Sequence, residues 1–140
     1  MIVLDTNVLS ELTRRHPDHG VLSWLDSVPA TEVVTTAVTA AELLYGVARL
    51  PVGRRKTALR AAVHGLLDED LRGRVEPFDK IAAIHYAMVV ADRDRVGRPI
   101  SVADAQIASI CRKLQAALAT RNIKDFEHAG LDLVDPWHIR

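Results

Sequence analysis

The chain has 140 residues, of which 49% are hydrophobic, and its 18 basic and 18 acidic side chains give a formal net charge of zero. This balance excludes a strong overall attraction to nucleic acid or to an anionic membrane, although it is compatible with a local basic patch. The single cysteine, Cys111, excludes an internal disulfide and a cysteine-rich zinc site, and no apolar run reaches the roughly 18 residues that span a bilayer. We therefore expect a soluble, cytoplasmic protein with a single domain over residues 1–140.

Short strand-like segments alternate with amphipathic helical segments along the chain. In chain order, strands are expected at residues 2–4, 32–35, 74–78, 117–120 and 131–134. Apolar residues recur at helical spacing at 21–28, 43–50, 81–91 and 102–114, and the Arg-rich segment 53–73 has the spacing of a further helix. In the helix at 81–91, the expected apolar face consists of Ile81, Ile84, His85, Met88 and Ala91. This alternation predicts an α/β fold with a parallel sheet and helices on both of its faces.

Acidic residues stand where helices are expected to start. Asp5 directly follows the first strand, and the stretches TAAE at 39–42, SVAD at 101–104 and NIKD at 122–125 each place an acid three residues after a residue that can cap a helix. A cap followed by an acid at this spacing is a capping box, which satisfies free amides in the first helical turn. Capping alone therefore explains Glu42 or Asp104 taken singly, whereas Asp5 has no capping residue three positions before it.

The acids have a second interpretation when they are considered together. Ligands of an open parallel sheet bind at the carboxyl ends of its strands, so Asp5, Glu42, Asp104 and Asp125 are expected to meet in one cleft. Clustered carboxylates repel one another and take up protons unless a cation neutralises them. Oxygen ligands without a thiolate favour Mg²⁺ or Mn²⁺, and such an ion can activate water and stabilise charge on a phosphodiester. The cluster thus indicates hydrolysis of a phosphate ester.

Other reaction classes have less support. None of the six histidines pairs with another at metal-binding helical spacing near these acids, which disfavours a zinc hydrolase. No glycine-rich phosphate loop follows a strand, which disfavours nucleotide-dependent chemistry. No serine stands in a G-x-S-x-G setting, which disfavours a serine nucleophile.

Four motifs occur in the order and at the spacing of a known family. They are LDTNVL at 4–9, TAAEL at 39–43 followed by Gly46, ADAQIA at 103–108, and ATRN at 119–122 followed by Asp125 and Phe126. Together with the closing DPWH at 135–138, they resemble the PIN domain, specifically the VapC toxins of bacterial type II toxin-antitoxin pairs, over essentially the full chain. The resemblance implies a three-layer α/β/α sandwich and a Mg²⁺-dependent ribonuclease in which Mn²⁺ can substitute. It also implies a homodimer and a hetero-oligomer with a VapB-type antitoxin, whose C-terminal segment lies across the active site.

Carried over residue by residue, the resemblance makes Asp5 and Asp104 the principal metal ligands and Glu42 the third acid of the catalytic site. Many relatives place an aspartate directly after Thr-Arg, whereas this chain has Asn122 there and Asp125 one helical turn later. Either residue is expected to complete the site. Asn122 would act through its amide oxygen or a water that it holds, and Asp125 through its charge, unless Asp125 only caps a turn.

Neighbouring residues are expected to support these acids or to bind RNA. Thr6, Asn7 and Thr120 are candidates for hydrogen bonds to the acids, with helix capping and turn formation as the alternative. The arginines at positions 93, 95, 98 and 121 are candidates for contacts with the RNA backbone, with Arg98 and Arg121 foremost, although solvated helix faces explain such arginines equally well. Because only 4% of the residues are aromatic, base stacking is not expected to dominate RNA recognition.

Two further functions are compatible with the same fold. In a catalytically inactive PIN-like module that binds RNA or a protein, the acids would serve only as caps, and Glu42→Gln would leave function intact. A phosphoacceptor domain resembling bacterial receivers would have adjacent acids after the first strand and a lysine after the last. This chain has Asp-Thr-Asn and Asp-Pro at those positions instead.

Overall fold

The computed structural model describes residues 1–139. Its strands are β1 (Ile2–Leu4), β2 (Val33–Thr36), β3 (Val75–Glu76), β4 (Ala117–Ala119) and β5 (Leu133–Val134). They form one sheet in the order β3-β2-β1-β4-β5, and every neighbouring pair is parallel. The predicted parallel sheet is therefore confirmed, although β3 and β5 are shorter than expected.

The helices lie between the strands in chain order. They are α1 (Thr6–Leu12), α2 (His19–Asp26), α3 (Ala37–Ala48), α4 (Arg54–His64), α5 (Lys80–Arg95), α6 (Val102–Leu114) and α7 (Ile123–Phe126). A 3₁₀ turn at Ala30–Glu32 precedes β2, and a π-helical turn at Gly65–Asp70 continues α4. All five helical segments expected from apolar spacing are present. No helix in the described part of the chain is long and apolar enough to cross a membrane.

Two hydrophobic clusters lie on opposite faces of the sheet, because successive residues of a strand point to opposite sides. Val3 of β1 belongs to the cluster that contains residues of α5 and α6, such as Val89 and Ile107. Leu4, the next residue of β1, belongs to the cluster that contains residues of α1 to α4, such as Leu43. The predicted α/β/α sandwich is thereby confirmed.

The prediction of the buried apolar face of α5 is wrong. Its buried residues are Ala82, Val89 and Arg93, which lie on the side that packs against α6. Apolar side chains occur around the whole circumference of this helix, so that their periodicity does not identify the inner side. Among the residues expected in the apolar face, Ile81, Ile84 and Met88 are 51%, 55% and 40% exposed, Ala91 is exposed, and His85 is half-buried.

The point where the strand order reverses positions the site. β1 lies at the centre of the sheet with β2 on one side and β4 on the other, so the segments that follow β1 and β4 emerge side by side. Leu4 is paired with Ala119 in the register of these two strands, and the Asp5 amide donates to the Ala119 carbonyl over 2.9 Å. Asp5 and Thr120 are thus the first residues beyond two adjacent strand ends.

Candidate active site

A cavity of about 490 Å³ opens at the carboxyl edge of the sheet. A larger, mainly apolar cavity of about 630 Å³ lies between α1, α2 and the turn after α4, but it lacks the clustered acids. Seven of the residues expected at the site line the acidic cavity, whereas Asp125, Arg98 and Thr120 are not part of its lining. The seven are Asp5, Thr6, Asn7, Glu42, Asp104, Arg121 and Asn122.

Asp5 is the N-cap of α1, and it is 4% exposed. Its Oδ1 accepts from the Thr6 amide over 2.8 Å, and its Oδ2 accepts from the Thr120 hydroxyl over 2.8 Å. Burial raises the pKa of Asp5; the hydrogen bonds from Thr120 and Thr6 oppose this rise, and the charge of Glu42 adds to it. No capping residue stands three positions before Asp5, as the sequence indicates, but Asp5 is itself the cap of α1 and therefore also has a structural role.

Asn7 and Thr120 connect Asp5 to the segment after β4. The Asn7 amide nitrogen donates to Asp5 Oδ2 and to Thr120 Oγ1, over 3.3 Å in each case, while Asn7 Oδ1 accepts from the Arg121 amide over 3.1 Å. Thr120 Oγ1 also accepts from the Asn122 amide over 3.0 Å. The hydrogen bonds hold the two strand ends together beneath the cavity.

Glu42 does not cap α3. The cap is Thr36, whose hydroxyl accepts from the Thr39 amide over 3.0 Å. Glu42 therefore lies beyond the first turn of the helix, where its Oε1 accepts from the Thr6 hydroxyl over 2.9 Å. The expectation that Thr39 is the cap is wrong, and with it the capping explanation of Glu42 fails.

Asp104 follows the cap of α6. The Ser101 hydroxyl accepts from the Asp104 amide over 3.2 Å, as the capping pattern predicts. Burial raises the pKa of the Asp104 carboxyl to about 6; the Ser101 hydroxyl opposes the rise, and the charges of Asp5, Asp125 and Glu42 add to it. The acids are therefore close enough to destabilise one another's charged forms.

Asn122 and Asp125 are placed differently. Asn122 lines the cavity and precedes the short helix α7, whereas Asp125 is exposed within that helix and outside the lining. Asp125 still contributes to the raised pKa of Asp104, so it lies near the margin of the cluster.

Three of the arginines expected to bind RNA have other partners. Arg95 Nη2 donates to Asp92 Oδ1 on the same helix. Arg98 Nη1 donates to Glu127 Oε2 over 3.0 Å. Arg93 is buried, and its guanidinium donates to the carbonyl oxygens of Arg98 and Asp125, over 2.6 Å in each case. The expectation that Arg93 contacts RNA is wrong, because this side chain is enclosed and bound to the backbone.

Sequence reasoning missed four residues of the cavity lining. Three of them are Ser10, Glu11 and Arg14. They follow Asn7 at helical spacing, and this spacing could have indicated that they lie on the same side as Asn7. Trp137 reaches the cavity from the C-terminal segment, and the guanidinium carbon of Arg121 lies 4.9 Å from the centre of its ring, in a cation–π contact.

The donor chemistry of the cavity fits a hard divalent cation. Within residues 1–139, no three Asp, Glu, His or Cys side chains lie close enough together to hold a metal ion. The available groups are nevertheless the carboxylates of Asp5, Glu42 and Asp104 and the amide oxygen of Asn122, which are ligands that Mg²⁺ and Mn²⁺ prefer. The raised pKa of Asp5 and of Asp104 means that a bound cation would relieve an existing electrostatic cost.

The chain is similar to known proteins over nearly its full length. The sequence profile of the PIN domain matches residues 2–131. The chain is 42% identical to the VapC ribonuclease Y4jK of Sinorhizobium fredii over 98% of each chain, and 37% identical to the toxin FitB of Neisseria gonorrhoeae over 99% of each. It superposes on the solved structure of FitAB bound to an IR36 DNA fragment with a TM-score of 0.92 and 36% identity, covering 100% of this chain and 98% of that one.

Proposed function

This chain belongs to the PIN domain family and, within it, to the VapC-type toxins, and from that membership we propose that it is an endoribonuclease that hydrolyses phosphodiester bonds in RNA. In this proposal, residues 1–140 form a single domain and act in the cytoplasm as the toxin of a type II toxin-antitoxin pair. One observation carries the assignment of the site: Asp5 after β1, Glu42 of α3 and Asp104 of α6 line the same cavity, although they are far apart in the chain.

The proposed cofactor is Mg²⁺, for which Mn²⁺ can substitute, held by Asp5, Asp104 and Glu42. When bound, such a cation activates water and stabilises negative charge on the phosphodiester. The protein orients the ligands: Thr6 and Thr120 hold the two oxygens of Asp5, and the Thr6 hydroxyl also holds Glu42.

We assign the fourth position to Asn122. It lines the cavity and supplies an amide oxygen, whereas Asp125 lies outside the lining and acts through its charge. An uncharged group at this position limits the repulsion among the three acids, which is consistent with the already raised pKa of Asp104.

The proposed partners are RNA, a cognate VapB-type antitoxin and a second copy of the chain. The toxin FitB, which this chain resembles over its full length, occurs in a FitAB complex bound to DNA. By analogy, the antitoxin would inhibit the chain within a hetero-oligomer. The exposed apolar side chains of Ile81, Ile84 and Met88 on α5 provide a surface for contact with another protein.

Cleavage of RNA by the purified chain tests the proposal. Wild-type protein is expected to cut single-stranded RNA or transfer RNA with Mg²⁺ or Mn²⁺, and a chelator should stop the reaction. Asp5→Ala should lower the rate by about a hundredfold or more. Asp94→Asn, which removes an exposed acid from α5, is the matched control and should retain full activity.

Two outcomes would contradict the proposal. Equal rates for wild type and Asp5→Ala would show that the acidic cavity is not the catalytic site. RNA binding without cleavage, unchanged by Glu42→Gln, would instead identify an inactive PIN-like binding module.

A further inference from the structure

A second basic side chain lines the acidic cavity together with Arg121. It is Arg14, which follows the end of α1 and is 67% exposed. Arg121 enters from the segment after β4, so the two arginines come from different parts of the fold. Both stand beside the three acids proposed to carry out catalysis.

The buried carboxylate of Glu11 holds Arg14. Glu11 is 5% exposed, and both of its carboxylate oxygens accept from Arg14 Nη1, over 3.2 Å in each case. Glu11 Oε2 also accepts from the amide of Asp18, the residue that caps α2, over 3.0 Å. Glu11 is thus fixed by the backbone of one element and in turn restrains the arginine at the cavity.

This arrangement leaves much of the guanidinium free for a ligand. An arginine has five N–H donors, and within residues 1–139 Arg14 donates to protein only through Nη1. Its Nε and Nη2 donors remain available on a side chain that is mostly exposed. The planar guanidinium group matches the geometry of phosphate, and an orientation fixed in advance reduces the entropy lost on binding.

A cationic side chain at this cavity suits an RNA substrate. Each phosphodiester of RNA carries a negative charge, which Asp5, Glu42 and Asp104 repel as it enters the cavity. A cationic side chain at the same cavity offsets this repulsion and positions the backbone. We infer that Arg14, oriented by Glu11, is an RNA-binding residue that contacts a backbone phosphate, and that it acts together with Arg121. This inference rests on the proposed ribonuclease function.

The alternative is that the Glu11–Arg14 pair only fastens the end of α1 to the start of α2. Substitution of Arg14 would then change stability and leave RNA affinity unaltered. Arg15 provides the matched control, because it is the next residue, carries the same charge, is exposed and stands outside the described lining of the cavity.

Affinity for RNA separates the two roles. Binding of a short fluorescein-labelled single-stranded RNA of mixed sequence is measured by anisotropy in the Asp5→Ala background, at several salt concentrations. Arg14→Ala is expected to raise Kd about tenfold and to reduce the slope of log Kd against log salt by about 0.7, the value for one phosphate contact. Arg15→Ala should change Kd by less than about twofold and leave the slope unaltered.

Glu11→Gln tests the orienting role. Glutamine retains an oxygen that can accept from the Asp18 amide, but it removes the charge that restrains Arg14. A rise in Kd smaller than that of Arg14→Ala, with an unchanged melting temperature, supports the inference. In the catalytically active background, both substitutions should raise KM for RNA and leave kcat nearly unchanged.

The outcomes distinguish this inference from the proposed function. If the wild type cleaves RNA while Arg14→Ala and Arg15→Ala bind it equally, the assignment of Arg14 is overturned and the ribonuclease is not. If Arg14→Ala weakens only antitoxin binding, the assignment to RNA is likewise overturned. If the wild-type chain neither binds nor cleaves RNA, both proposals fall.

Discussion

Asp104→Asn is predicted to stabilise the metal-free protein at neutral pH. The charged Asp104 carboxylate is half-buried and lies near the charges of Asp5, Asp125 and Glu42, so its pKa is raised from 3.8 to about 6. The neutral amide removes this unfavourable charge while it keeps the shape of the side chain. The substitution should lower the rate of catalysis and raise the free energy of unfolding, a trade-off that is common at functional sites.

The magnitude follows from the size of the pKa shift. A rise from 3.8 to about 6 is about two units, and at about 1.4 kcal/mol per unit the upper limit is about 3 kcal/mol. Because Asp104 is partly exposed, solvent screening reduces the expected gain to about 1–2 kcal/mol. The pH dependence has a definite sign. Below pH 3.8 the Asp104 carboxyl is neutral in both the folded and the unfolded chain. Between pH 3.8 and about 6 this carboxyl ionises only in the unfolded chain, so the stability of the wild type falls as the pH rises.

Urea denaturation with a chelator present, at pH 7 and near pH 3.5, measures this effect. The variant should be more stable than wild type at pH 7, and the difference should vanish at the lower pH. Asp94→Asn, on the exposed side of α5, should show no such difference at either pH. An equal gain at both pH values would refute the reasoning, because it would arise from something other than the charge of Asp104.

Two further predictions concern buried side chains that support the site. Thr120→Val removes the hydroxyl that donates to Asp5, and it should lower the cleavage rate about tenfold and stability by about 1–3 kcal/mol. Thr35→Val is the control, because Thr35 is equally buried but donates to a strand carbonyl, so in parallel assays it should lose stability and keep activity. Arg93→Met leaves the carbonyl oxygens of Arg98 and Asp125 without this donor and should cost about 2–3 kcal/mol in urea denaturation. The exposed Arg95→Met should cost little. A small loss for Arg93→Met would contradict the assigned contacts.

The sequence was sufficient to predict the sheet and the meeting of three acids. Short apolar runs separated by amphipathic segments specify parallel strands with helical connections, and in such a sheet the strand ends share one edge. Because Asp5 directly follows β1, its place at that edge depends only on the strand being correctly identified. The position of Asp104 followed similarly from the capping role of Ser101, which the structure confirms.

The start of α3 was misplaced for a local physical reason. The stretch TAAE at 39–42 has the spacing of a capping box, so Thr39 seemed to be the first cap, and the apolar residues Ala37 and Val38 before it were not assigned to the helix. In the structure the strand ends at Thr36, and the two apolar residues form the first turn of the helix. Over so few residues, periodicity cannot separate the end of a strand from the first turn of a helix.

The contact between Glu11 and Arg14 illustrates a second limit. Helical spacing continued past the end of α1 places Arg14 on the same side as Glu11, but the spacing does not show that Glu11 is buried. Its burial depends on how the chain turns after α1, where the Asp18 amide approaches the carboxylate. That turn is determined by packing of α2 on the core through Val21, a tertiary feature that no local pattern specifies.

The register between β1 and β4 links the formation of the sheet to the formation of the site. Leu4 is paired with Ala119, and this pairing brings the Thr120 hydroxyl within hydrogen-bonding distance of Asp5. A slip of one residue would move Thr120 by about 3.3 Å along the strand and reverse which face each side chain occupies. Leu4 and Val3 belong to different hydrophobic clusters, so such a slip would also exchange the two cores. The packing that fixes the register therefore also fixes the hydrogen bonds of Asp5.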